Sequence, residues 1–150
     1  MRGWMTGLAA LSLLAAPAAL GAQTSANDDE NAVRAAVADY VDAIYEVKPV
    51  LIERSVARDL VKRGYWRPDE ATEFREFPMS YEQLHELASS WNADGHLDTS
   101  EAVREIVLLD VLDKTASAKL VADWGVDYLH LAKVDGRWMI KNILWQSPPM

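Results

Sequence analysis

The chain has 150 residues, half of them hydrophobic and a quarter charged, with 23 acidic against 15 basic side chains and a net charge of −8 at pH 7. That length suits one domain with a proper core, and the acidic balance disfavours nucleic acid and anionic lipid as partners. Cysteine is absent and the three histidines, His85, His96 and His130, show no metal-ligand spacing, so no disulfide, thiolate chemistry, metal or other cofactor is expected.

Residues 1–22 differ from all that follows. Arg2 precedes the apolar run LAALSLLAAPAAL, Leu8 to Leu20, and the polar junction GAQT. This pattern predicts a secretory signal peptide cut after Ala22, and hence a secreted or periplasmic protein; the run falls short of the roughly 20 residues that a membrane anchor needs. Cleavage would remove one positive charge and leave a net −9. Residues 23–30 read as a flexible polar N-terminus and 31–146 as the folded domain.

In NAVRAAVADYVDAIYE, Val33, Ala36, Val37, Tyr40, Val41 and Ile44 recur at helical spacing and predict a first helix with one apolar face. Pro49 opens a shorter second helix through VLIERSVARDL, after which LVKRGYW alternates briefly up to Gly64 as a small strand. RPDEATEFREFPM reads as a loop with at most a short strand near Phe74 to Phe77. Ser80 and Gln83 form a capping box for a third helix, whose stripe is Tyr81, Leu84, Leu87, Ala88 and Trp91. The period then drops to two, and 102–112, 116–124, 126–133 and 137–145 predict four strands in an antiparallel meander, closed by an Asp135-Gly136 type I′ turn. Three helices followed by a twisted sheet make an α+β fold.

DYLHLAKVDGRWMIKNILW closely resembles the last hairpin of the putative lumazine-binding family, and AVRAAVADYVDAIYE with ERSVARDLVKRGYW resembles its first two helices and its Leu-x-Lys-Arg segment, here Leu60, Lys62 and Arg63. The family is a branch of the nuclear-transport-factor-2-like cone fold, which also houses SnoaL-like cyclases and ketosteroid isomerases. The resemblance spans residues 31–146. It implies three N-terminal helices packed in the concave face of a curved antiparallel sheet. Two departures stand out: family members commonly carry His-Pro where this chain has Ala57-Arg58, and Gly-Asp where it has Val47-Lys48. Measured against the isomerase branch, Tyr40 matches the oxyanion-donating tyrosine, the strand carboxylate falls on His130 or Asp127, and the segment that should supply a base, VKRGYW, is basic.

A two-residue turn pairs Leu131 with Ile140, Leu129 with Asn142 and Asp127 with Leu144 on one face, and His130 with Lys141 and Tyr128 with Ile143 on the other. The Leu face is expected to look toward the helices, with Tyr128, His130, Met139 and Trp145 on a dimer surface. A carboxylate such as Asp127 inside an apolar run is costly without a partner, for which Arg54, Lys62 and Arg63 compete with a ligand. Aromatic Tyr65, Trp66 and Trp91 fall where a cone mouth would be. The expected ligand-binding set is therefore Tyr40, Tyr65, Trp66, Trp91, Asp127, His130 and Asn142, with no catalytic or metal residue assigned. The function expected is binding of a small, partly aromatic molecule in an apolar cone by a homodimer. Two alternatives stay open: a lyase, isomerase or cyclase using Asp127 or His130 with Tyr40, and a dimeric assembly module whose cone is filled.

Overall fold

The structure, a computed structural model, describes residues 18–70 and 72–148, so most of the expected signal peptide lies outside the described residues. Helix α1 (Ala18–Tyr45) is followed by α2 (Val50–Ser55), β1 (Val56–Trp66), β2 (Arg75–Met79), α3 (Tyr81–Ser90), β3 (Arg104–Val111), β4 (Thr115–Ala122), β5 (Gly125–Val134) and β6 (Arg137–Gln146). The six strands form one sheet in the order β2-β1-β6-β5-β4-β3. Among the described residues no helix is long and apolar enough to cross a membrane.

The helical stripes behave as their spacing requires. Val33, Val37, Tyr40, Val41 and Ile44 of α1 and Tyr81, Leu84 and Ala88 of α3 are buried against Ile140 and Ile143 of β6, Leu129 and Leu131 of β5, and Leu120 of β4. Each buried aliphatic side chain contributes roughly 1.5–3 kcal/mol. The Ser80–Gln83 capping box closes the start of α3 from both sides, the Ser80 hydroxyl accepting from Gln83 N–H and the Gln83 side chain accepting from Ser80 N–H. At the β5–β6 turn, Asp135 and Gly136 have φ of 49° and 76°, the paired positive values that a type I′ turn needs.

Four expectations are corrected. Residues 23–30, expected to be a flexible N-terminus, lie within α1, where Asp29 accepts from Trp138 Nε1 at 2.9 Å and pairs with Lys133 at 2.5 Å. The second helix stops at Ser55 rather than running through Leu60, because Val56 onward belongs to β1. The sheet is mixed and not wholly antiparallel, since β1 pairs with β6 in parallel. Finally, Lys141 is an extra residue in β6: Leu131 pairs with Ile140 as expected, but His130 then pairs with Asn142, Leu129 with Ile143 and Asp127 with Trp145. A bulge of this kind flips every later side chain to the opposite face. Trp145 therefore points inward instead of onto a dimer surface, and Asn142 points outward.

Candidate functional site

Strand register places the site. On the concave face one row of neighbours runs Met79, Lys62, Ile143, Leu129, and the next runs Phe77, Gly64, Trp145, Asp127. Lys62 and Asp127 thus stand two strands apart on adjacent rows, with β6 between them. Gly64 has a steric task in this arrangement: a Cβ there would sit 1.9 Å from Trp145 Nε1, so only a missing side chain lets the indole lie flat across β1. We predict that Gly64→Ala displaces Trp145 and destabilises the fold by about 1–3 kcal/mol, read by urea unfolding; unchanged stability would show that the indole yields freely.

Over these rows opens a cavity of about 620 Å³, walled by Ile44, Leu87, Met79 and the rings of Trp66, Trp91, Trp124 and Trp145, with Lys62 at its base and Arg67, Pro68, Ser147 and Pro148 along its edge. Trp124 comes from the two-residue Asp123-Trp124 connection between β4 and β5, which thrusts its ring into the cone. It packs edge-on against Tyr40, Tyr45 and Trp91, with ring centroids 6.1, 5.1 and 5.8 Å away. Such edge-to-face clusters hold aromatic walls in a fixed orientation.

Polar groups converge at the cavity base. Lys62, 5% exposed, donates from Nζ to Tyr40 Oη at 2.6 Å, and no other acceptor is bonded to its ammonium among the described residues. Nζ also lies 5.1 Å from the centre of the Tyr40 ring and 5.9 Å from that of Trp145. Fully buried Asp127 accepts from Trp124 Nε1 at 2.7 Å through Oδ2, while its Oδ1 closes no hydrogen bond among the described residues. The Tyr40 hydroxyl borders the same carboxyl without reaching hydrogen-bond geometry to Oδ1.

Burial governs the electrostatics of this trio. It pushes the Asp127 carboxyl above its ordinary range, against the Lys62 charge and its hydrogen-bonding neighbours, and it pulls the Lys62 ammonium below its ordinary value, against the attraction of Asp127. The Tyr40 hydroxyl is driven well up by burial and then by the nearby carboxylate. The two opposite charges therefore do not fully compensate each other's desolvation.

The structure brings together four of the seven residues expected from sequence: Trp66 and Trp91 in the wall, and Tyr40 and Asp127 beneath it. Three lie elsewhere. His130 and Asn142 are cross-strand neighbours on the outer face, turned there by strand parity and the Lys141 bulge, and Tyr65 alternates outward on β1 beside Glu76. Trp124 and Trp145 belong to the wall but were not expected there. Lys62, named from sequence in the Leu-x-Lys-Arg segment and as a competing partner for Asp127, was not in the expected ligand-binding set, yet it lines the cavity. No group of His, Asp and Glu among the described residues could hold a metal ion.

The profile of the family described as "Putative lumazine-binding" matches residues 28–146. The chain belongs to this family. No curated protein sequence matches it. Among solved structures, a nuclear-transport-factor-2-like protein from Silicibacter pomeroyi superposes with a TM-score of 0.63 at 18% identity, covering 81% of this chain and 97% of that one. A protein from Novosphingobium aromaticivorans with a cystatin-like fold gives 0.63 at 12% identity over 89% and 91% of the two chains. A second protein from that organism, described as a putative scytalone dehydratase, gives 0.58 at 14% over 85% and 89%. At these identities the likeness shows the nuclear-transport-factor-2-like fold, in which α1, α2 and α3 lie in the concave face of the curved sheet.

Proposed function

We propose that the protein binds a small, flat, aromatic molecule in the tryptophan-walled cavity, with an acceptor oxygen of the ligand taken by the Lys62 ammonium. The observation that carries this reading is a buried lysine with unspent donors at the base of an apolar space. A cavity of about 620 Å³ falls within the range of about 300–1,000 Å³ usual for small-molecule sites, and a few fixed polar groups in an apolar wall are the usual source of orientation. The family description names lumazine, a planar pteridine dione whose carbonyl oxygens fit this chemistry. An open cavity also weighs against the filled-cone alternative.

Two further parts of the proposal concern context. Residues 1–22 act as an export signal and place the mature protein outside the cytoplasm. A second copy of the chain covers the outer sheet face, where cross-strand neighbours Tyr128 and Leu144 are each about half exposed. Sedimentation of a Tyr128→Glu variant as a monomer, against a dimeric wild type, tests the second; a monomeric wild type would remove it.

Calorimetric titration with lumazine, acetophenone and ethylbenzene tests the binding itself. The carbonyl compounds should bind saturably and acetophenone at least tenfold more tightly than ethylbenzene, with that preference lost in Lys62→Met. A tenfold difference corresponds to about 1.4 kcal/mol, a reasonable value for one hydrogen bond to a charged donor. Absence of saturable binding by any of the three up to millimolar concentration would overturn the proposal.

A further inference from the structure

We infer that Lys62 is a nucleophilic amine that captures small aromatic aldehydes as a Schiff base inside the cavity. The inference rests on the binding reading above and goes beyond it, from a hydrogen bond to a covalent bond.

Of the six lysines in the chain, Lys62 is the buried one, and the one that lines the tryptophan-walled cavity. Its Nζ sits 2.6 Å from the Tyr40 hydroxyl, which in turn borders Asp127, whose Oδ1 is buried without a hydrogen bond. The Lys62–Tyr40 hydrogen bond is the first leg of a path for one proton, and the second leg closes when the Tyr40 hydroxyl turns onto the unsatisfied Asp127 Oδ1. Moving that proton from Lys62 to Tyr40, and the Tyr40 proton to Asp127, leaves a neutral amine and a neutral acid in place of two buried charges. Burial brings this state within reach of the resting ammonium–carboxylate pair, since it lowers the proton affinity of Lys62 and raises that of Asp127. Desolvation of a lysine in an apolar pocket is a recognised route to an amine nucleophile.

The step balances without an added reagent. The Lys62 lone pair attacks the aldehyde carbon, the C=O π pair moves to oxygen, and the oxygen takes a proton as the nitrogen gives one up, forming a carbinolamine. The hydroxyl then leaves as water, carrying the proton stored on Asp127 and passed through Tyr40, while the C=N bond forms. One aldehyde, one amine and the proton of the Asp127 acid give one protonated imine, one water and the Asp127 carboxylate. Trp91, Trp124 and Trp145 supply the faces against which an aromatic aldehyde lies.

The test uses the full chain with benzaldehyde in equimolar amount at pH 7, followed by borohydride reduction, intact-mass measurement and peptide mapping. One benzyl group on Lys62, absent from Lys62→Met, is the expected result, with Lys48, Lys114, Lys119, Lys133 and Lys141 unmodified. Tyr40→Phe keeps the amine but breaks the proton path, so its capture rate should fall at least tenfold; a rate equal to wild type would overturn the relay. Modification spread over the exposed lysines, or none at Lys62, overturns the inference. Titration with acetophenone in parallel separates the two failures: binding without an adduct removes only the covalent step, whereas loss of both removes the binding reading as well.

Discussion

Trp124→Ala should cost at least 3 kcal/mol of stability and expose the cavity base to water. Removing a largely packed aromatic side chain costs about 3–5 kcal/mol in general, because the surrounding structure relaxes only in part. Here the ring is the shared neighbour of Tyr40, Tyr45 and Trp91, so three aromatic contacts are lost together. Its Nε1 also donates to Asp127 Oδ2, and an orphaned buried acceptor adds about 1–3 kcal/mol. Against a typical total of about 5–15 kcal/mol, the variant should stand close to unfolding. Trp124→Phe keeps most of the ring contacts and loses only the hydrogen bond, so it should fall between the two. Urea denaturation of the three proteins gives the order directly. A Trp124→Ala variant within about 1 kcal/mol of wild type would mean that the turn residue is peripheral to the core.

The second large effect is on pH dependence. Asp127 has a raised pKa in the folded chain, so between its unfolded value near 3.8 and the raised value the native state holds a proton that the unfolded state has released. Stability therefore falls as pH rises through that window. Lys62 runs the other way: its pKa is lowered from 10.5, the unfolded state binds the extra proton, and stability rises with pH on approaching 10.5 from the lowered value. Asp127→Asn preserves an acceptor for Trp124 Nε1 and removes the first of these slopes. Each unit of pKa elevation is worth about 1.4 kcal/mol, so the two melting profiles should diverge as pH rises above 3.8. Wild type should lose stability as pH rises from 3.8 toward the raised Asp127 value while Asp127→Asn stays level or gains. Parallel profiles would show that Asp127 is ordinary in its ionisation.

The elements with strong periodicity were legible in the sequence. The stripes of α1 and α3, the Ser80 cap and the Asp135-Gly136 turn each carry a local signal that tertiary structure had no reason to override. What escaped has a common cause. In β1 the inward positions after Leu60 hold Lys62 and Gly64, so hydropathy marks only a brief strand up to Gly64, and Val56 and Leu60 instead suggest a continuing helix. Those same two residues shape the site: Lys62 as its polar base and Gly64 as the gap under Trp145. The Lys141 bulge is likewise silent in composition, yet it decides that Trp145 looks inward and Asn142 outward. Tyr40 and Asp127 were visible because an aromatic hydroxyl and a carboxylate within apolar stripes stand out against their surroundings.

The most direct test of the tryptophan-walled site is a titration with lumazine followed through the indole N–H signals of the ¹⁵N-labelled protein, assigned by single Trp→Phe variants. Trp138 provides an internal control, since its Nε1 is committed to Asp29 on α1, and its ring takes no part in the cavity wall. The account predicts saturable shifts at Trp66, Trp91, Trp124 and Trp145 with Trp138 unmoved. Shifts confined to Trp138, or no shift at any indole at saturating lumazine, would contradict it.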